Sequence, residues 1–169
     1  MMRYSHIDTY DFDNGPGVRV VLWTQGCPHR CFGCHNPHTW KEEAGRVFSE
    51  QERMFIWEKL NEYVEKDFSV LGGEPLAPYN REGVCSLLKW LKEKRPGLDV
   101  WVWTGYRYEE IQELEAMQYI DVLVDGPFSM EEIDLSFRWK GSSNQRVIDM
   151  KRTRRSNAIM LHEENERRK

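Results

Sequence analysis

Three cysteines fall within eight residues, Cys27, Cys31 and Cys34, spaced C-x3-C-x2-C, and a fourth, Cys85, stands alone. Three thiolates on so short a loop can converge on one metal centre, and soft sulfur donors suit iron–sulfur clusters and zinc. An all-cysteine 4Fe–4S cluster takes four protein ligands, so three would leave one iron open to an exogenous ligand. A structural zinc held by three cysteines and one histidine is the other chemistry the spacing admits, with His35, His29 or His38 as the fourth donor. Spacing alone leaves these two level. A disulfide framework would need spread, paired cysteines and an oxidising compartment. The start of the chain, residues 1–13, is polar and mixed in charge, unlike a secretory signal, so a reducing cytoplasm is expected.

Three further short motifs could carry chemistry. Gly72-Gly73-Glu74-Pro75 combines two residues that permit close backbone approach with a carboxylate that could accept from a ligand ammonium. Pro75 removes a donor and fixes the turn. Thr104-Gly105-Tyr106 and Asp125-Gly126-Pro127-Phe128 are the others. Asp125 could bind a cation or cap a turn. Each motif taken alone reads as ordinary turn chemistry.

Their common placement is the stronger signal. Each follows a short apolar run that reads as a strand: residues 18–24, 68–71, 99–104 and 119–124. Between them lie amphipathic segments. Ser49 and Glu52 form a capping box that opens a helix to about residue 66, with Trp57, Leu60 and Val64 inward. A second helix over 80–94 carries Val84, Leu87, Leu88 and Leu91 at helical spacing and stops at Pro96-Gly97. A shorter one covers 108–117, using Ile111 and Leu114. A last strand is expected at 146–149. Cys85 borders the apolar stripe of the second helix and reads as a buried structural thiol.

Alternating strands and helices imply βαβ units and a parallel sheet. The units are too few to close an eight-stranded barrel. The expected fold is α/β: a partial (β/α) barrel, an open, curved, mainly parallel sheet with outer helices, with a doubly wound sheet as the alternative. Ligands of parallel α/β sheets bind at the carboxyl ends of the strands, where all four motifs fall.

The chain has 169 residues, enough for one domain with its own core, and a formal charge of −4. There is no basic footprint for nucleic acid across the chain. A mean hydropathy of −0.73 and the lack of a long apolar run exclude a transmembrane helix. Residues 150–169 differ: seven Lys/Arg against three Glu give +4, while residues 1–149 carry −8. This divides the chain into a domain over 1–149 and a charged extension over 150–169, read as a solvated tail with no assigned role.

The cysteine triplet followed by Gly-Gly-Glu-Pro resembles the radical S-adenosylmethionine superfamily. The finer pattern resembles its activating enzymes of glycyl radical enzymes. It includes Asn14-Gly15-Pro16-Gly17-Val18-Arg19, Gln25-Gly26-Cys27, Cys34-His35-Asn36 and Thr39-Trp40. Val102-Trp103-Thr104-Gly105-Tyr106, Val124-Asp125-Gly126-Pro127-Phe128 and Trp139-Lys140-Gly141-Ser142-Ser143-Asn144-Gln145-Arg146 look like the branch that acts on anaerobic ribonucleoside-triphosphate reductase. The likeness spans residues 8–149.

The resemblance implies that Cys27, Cys31 and Cys34 hold one 4Fe–4S cluster whose open iron takes S-adenosylmethionine. Gly72, Gly73 and Glu74 would support the ligand's ammonium, and the backbone of Gly33, Cys34 and His35 would meet its adenine. Much of the superfamily has an aromatic residue where this chain has Gly33; Phe32 stands one earlier, and the reductase-activating branch tolerates the glycine. The implied reaction is reductive cleavage of S-adenosylmethionine to a 5′-deoxyadenosyl radical, which takes a hydrogen from a glycine of the reductase large subunit. No further cysteine set is present for a second cluster, so the electron would come from an external donor such as flavodoxin. An activase of another glycyl radical enzyme, such as formate acetyltransferase, a small radical enzyme acting on a free metabolite, and a non-catalytic zinc-binding interaction module are the competing readings.

Overall fold

The structure is a computed structural model and describes residues 1–62 and 65–165. Seven strands form one sheet: β1 (Arg3–Asp11), β2 (Arg19–Thr24), β3 (Arg46–Val47), β4 (Asp67–Gly72), β5 (Val100–Trp103), β6 (Val122–Asp125) and β7 (Arg146–Asp149). Their order is β3-β1-β2-β4-β5-β6-β7. The central four, β2, β4, β5 and β6, run parallel, whereas β1, β3 and β7 join antiparallel at the two edges. The helices are α1 (Glu50–Leu60), α2 (Arg81–Lys94), α3 (Tyr108–Ile111) and α4 (Met150–Ser156).

Side-chain alternation along the strands sorts the core into two layers. Val20, Leu22, Phe68, Val70, Val100, Val102, Leu123 and Ile148 pack on Ile56 and Leu60 of α1 and on Val84, Leu87, Leu88 and Leu91 of α2. The intervening residues Trp101, Val122, Val124 and Val147 pack on Trp139 on the other face, where no described helix contributes. The helices therefore cover one face, and the parallel strands advance in one direction. This is not the doubly wound arrangement, which needs helices on both faces. Among the described residues no helix is long and apolar enough to cross a membrane.

Arg19 anchors the base of the sheet. It is fully buried. Its Nε donates to Ser69 Oγ at 2.7 Å, and its Nη2 to the carbonyls of Phe68 and Asp99 at 2.8 and 2.9 Å. Nη1 reaches Pro16 O at 3.0 Å and Asp99 Oδ2 at 3.1 Å. The Asn-Gly-Pro-Gly turn before β2 is thus folded around a guanidinium that ties β2 to β4 and to the residue before β5. Burial pulls the Arg19 pKa below the ordinary guanidinium value, with Asp99 opposing.

Several elements differ from the sequence expectation. The nine-residue strand β1 was not expected, because only Tyr4 on it is buried; its stability comes from the backbone ladder with β2. The capping box forms as expected, with Ser49 N–H donating to Glu52 Oε2 at 2.7 Å. The helix ends at Leu60 rather than near residue 66, and Asn61 Nδ2 takes the Trp57 carbonyl at 2.6 Å. Val64, expected on that helix, lies outside the described residues. The helix expected over 108–117 stops at Ile111 because Leu114 is extended, and a 3-10 turn over Glu115–Gln118 follows. The described part of the charged extension is not a free tail. Met150 and Thr153 of α4 are buried, Arg154 donates to the carbonyls of Met117 and Ile120, and His162 N–H returns to Val147 O at 2.8 Å.

Replacing Arg19 by leucine should lower unfolding free energy by about 3 kcal/mol in a denaturant titration, since it leaves several buried acceptors unpaired. A loss below about 1 kcal/mol would show that the anchor is dispensable.

Candidate functional site

The carboxyl ends of β2, β4, β5 and β6 face a single cavity of about 460 Å³. Cys27, Cys31 and Cys34 line it together with Gly72, Gly73, Glu74, Thr104, Gly105, Gly126 and Phe128. All four sequence motifs are therefore brought to one place. Trp23, Leu71 and Trp103 form the sheet side of the cavity, and Trp139 and Gln145 close it from the segment before β7.

The cysteine loop is framed by its motif neighbours. Gln25 Nε2 donates to the carbonyls of His38 and Lys41 at 3.0 and 2.7 Å. Gly26 N–H donates to Thr39 O at 2.8 Å and Cys27 N–H to Trp40 O at 3.1 Å. These bonds close residues 25–41 into a ring with the thiols inside its cavity edge. All three thiols are half-buried. Burial pushes the Cys27 thiol up, while the N–H groups of His29 and Arg30 pull it down. Burial also raises the neighbouring Tyr79 to about 12, assisted by Cys27, Glu42 and Glu74.

The two glycines at the end of β4 serve backbone contact. Gly73 N–H donates to Thr24 O and Glu74 N–H to Gly26 O, both at 2.8 Å. A Cβ on Gly73 would stand 2.4 Å from Gly26 O, and one on Gly72 2.8 Å from Thr24 backbone atoms. No side chain fits there. Asn80 fastens the same corner, donating from Nδ2 to the carbonyls of Gln25 and Glu74 at 2.9 and 3.0 Å.

Glu74 is fully buried. Oε1 accepts from Thr104 Oγ1 at 2.8 Å and from Leu76 N–H at 2.9 Å. Oε2 accepts from Gly105 N–H at 2.7 Å and lies 2.8 Å from His29 Nε2. The carboxylate thus joins the ends of β4 and β5 and the cysteine loop.

The remaining expected residues are placed as follows. His35 is exposed at the cavity edge, its ring 5.2 Å from that of Phe128. Gly33 is exposed and faces the side chain of Met130. Asp125 is buried below the cavity, held by Arg146 and by Tyr108 N–H at 2.8 Å. Both of its oxygens accept, one from Arg146 and the other from Arg146 and Tyr108 N–H, so it caps and pairs here. Arg146 also grips Glu109 at 2.8 and 3.0 Å and pulls its carboxyl down to about 2. Gln145 accepts from Gly141 N–H at 2.9 Å and donates to Gly126 O at 3.0 Å, which fixes the Ser-Ser-Asn-Gln turn against β6. Cys85 lies on α2, half-buried and away from the other three.

The donor set can be compared with the two metal chemistries. Among the described residues no three His, Cys, Asp or Glu groups converge closely enough to hold a single ion. A zinc requires its donors to meet at one point, whereas a cluster takes each thiolate at a separate iron. His29, one of the three candidate fourth ligands, is committed to Glu74. Cys27, Cys31 and Cys34, three thiols on one cavity, are a donor set that can hold a cluster.

Comparison with known proteins agrees. The family described as 4Fe-4S single cluster domain matches residues 13–148. The anaerobic ribonucleoside-triphosphate reductase-activating protein of Enterobacteria phage T4 is 40% identical over 146 residues, covering 86% of this chain and 93% of its own. The proteins of that name from Salmonella typhi and Escherichia coli K12 are 39% and 38% identical over 150 residues, covering 86% of this chain and 97% of theirs.

Two outcomes are expected. Glu74→Gln puts an amide N–H₂ against existing donors and should cost about 2 kcal/mol of unfolding free energy; an unchanged denaturation midpoint would contradict the hub. Glu109 should titrate near 2 by carbon-detected NMR. Its pKa is depressed in the fold, so its contribution holds above the ordinary carboxylate range and is lost as pH falls toward 2. Half-exposed, it should amount to only about 0.5 kcal/mol. In Arg146→Ala the carboxyl should return to its ordinary range.

Proposed function

The chain belongs to the family of anaerobic ribonucleoside-triphosphate reductase-activating proteins and carries its 4Fe-4S domain, and on that premise we propose that it is the radical S-adenosylmethionine activase of such a reductase. The observation that carries the proposal is the meeting of three cysteines with the Gly-Gly-Glu strand end in one cavity. Cys27, Cys31 and Cys34 would hold a single 4Fe–4S cluster and leave one iron open. Such a cluster, when reduced, would supply the one electron for cleaving the sulfonium C–S bond of S-adenosylmethionine to methionine and a 5′-deoxyadenosyl radical, the species that would take a hydrogen atom from a backbone glycine of the reductase large subunit.

The chain's own residues bind, orient and exclude water. Gly72 and Gly73 expose backbone at the corner where the ligand's ammonium would sit. Glu74 supports that corner with a buried negative charge. Cys34 and His35 line the cavity, and their backbone, with that of Gly33, would meet the adenine. Trp23, Leu71 and Trp103 give the cavity an apolar side that limits water beside a reactive radical.

The sheet is, on this reading, a truncated radical S-adenosylmethionine core, an open partial (β/α) barrel. Residues 1–149 carry the chemistry, with 150–169 as an extension outside it. Flavodoxin or a similar small reductant would supply the electron, in the cytoplasm. A zinc-binding module is the rival of another class, and the match to the 4Fe-4S single cluster domain favours the cluster over it.

The test pairs the reconstituted protein with an anaerobic ribonucleotide reductase whose glycines are deuterated. Deuterium should appear in 5′-deoxyadenosine, together with a glycyl radical signal. Cys27→Ser, Cys31→Ser and Cys34→Ser should each abolish both, by a factor of roughly a thousand or more. Cleavage without deuterium transfer would point to a different substrate.

A further inference from the structure

His29 is the residue of the cysteine loop whose place the function above does not explain. It stands between Cys27 and Cys31 in sequence, and its ring reaches across to the sheet ends. Its Nε2 lies 2.8 Å from Glu74 Oε2. Its ring meets that of Tyr106 edge-on, centroids 4.6 Å apart. On the third side it rests on Gly105, where a Cβ would come within 2.4 Å of the imidazole Cδ2. The glycine of Thr-Gly-Tyr is therefore required by an imidazole from a different motif. Among the described residues no other side chain of 28–34 hydrogen-bonds the sheet.

Glu74 has no acceptor position left over. An ionised carboxylate offers about four lone-pair sites. Leu76 N–H, Thr104 Oγ1 and Gly105 N–H take three, and His29 takes the fourth. The carboxylate thus acts through charge and through what it holds in place. Of its partners, His29 alone belongs to the cysteine loop.

We propose that His29 is a positioning residue: its imidazole latches the loop onto Glu74 and Gly105 and so fixes Cys27 and Cys31 against the Gly72-Gly73 strand end. The proposal rests on the reading that the three cysteines carry a cluster. It assigns His29 no bond to metal. Its effect is to keep the thiols of the loop in register with the Gly72-Gly73 backbone.

The experiment compares wild type, His29→Ala, His29→Gln, Gly105→Ala and the His29→Ala/Gly105→Ala pair after anaerobic reconstitution. Iron and sulfide content come first, then the rate of iron loss to a chelator, then S-adenosylmethionine affinity from the cluster's paramagnetic spectrum. All variants should take up iron and sulfide as wild type does, because every cysteine remains. His29→Ala and Gly105→Ala should each lose iron about tenfold faster and bind S-adenosylmethionine about tenfold more weakly, the effect of one lost hydrogen bond to a charged group. His29→Gln, which keeps a donor, should return to within about threefold of wild type. The double variant should be no worse than His29→Ala, since both substitutions break one contact.

The proposal is overturned if His29→Ala matches wild type in iron loss and affinity, or if the two substitutions add in full. It is equally overturned if His29→Ala and His29→Gln both fail to take up the cluster, which would make the imidazole a ligand. Gly105→Ala reads the same contact from the other side and decides the matter should His29→Ala not fold. A wild-type protein that takes up no sulfide would instead remove the cluster reading beneath the proposal.

Discussion

One buried carboxylate holds this site together. Glu74 sits out of water with four donors around it, drawn from its own turn, from the end of β5 and from the cysteine loop. A lone buried carboxylate would be costly; one so fully satisfied rigidifies whatever supplies the donors. Here those suppliers are the elements that bear the chemistry. The cavity's shape follows from them, because three loops that share one acceptor cannot move independently.

Backbone contact completes the frame. The two glycines after β4 let that strand end lie against the end of β2 with no side chain between them. Asn80 ties both to the start of α2. At the far end of the sheet Arg19 spans β2, β4 and the residue before β5. A polar clamp therefore stands at each end of the parallel strands, with an apolar layer between. That layer faces helices on one side and a tryptophan-rich layer on the other. A small protein with helices on one face only needs such clamps, because one half of its sheet lacks helical cover.

Much of this was legible in the sequence, and the reasons are local. The parallel strands declared themselves as apolar β-branched runs, and the capping box at Ser49 is a contiguous signal. The four motifs shared a position after strands, so their meeting at one edge followed from topology. Strand β1 escaped because its polar residues mask a pairing that is made with β2. The role of His29 escaped because it depends on Gly105, 76 positions away. Asp125 looked available for a cation, but its partner Arg146 lies on the neighbouring antiparallel strand. The charged extension looked solvated, yet Met150 and Thr153 are buried. What composition missed in each case was a long-range contact.

The central claim is that three cysteines and the Gly-Gly-Glu strand end form one cluster-and-ligand site. The most direct measurement is the electron paramagnetic resonance spectrum of the anaerobically reconstituted, reduced protein with and without S-adenosylmethionine. The account predicts a reduced-cluster signal that changes shape when the ligand is added. A protein that takes up zinc, holds no sulfide and gives no cluster signal would contradict it.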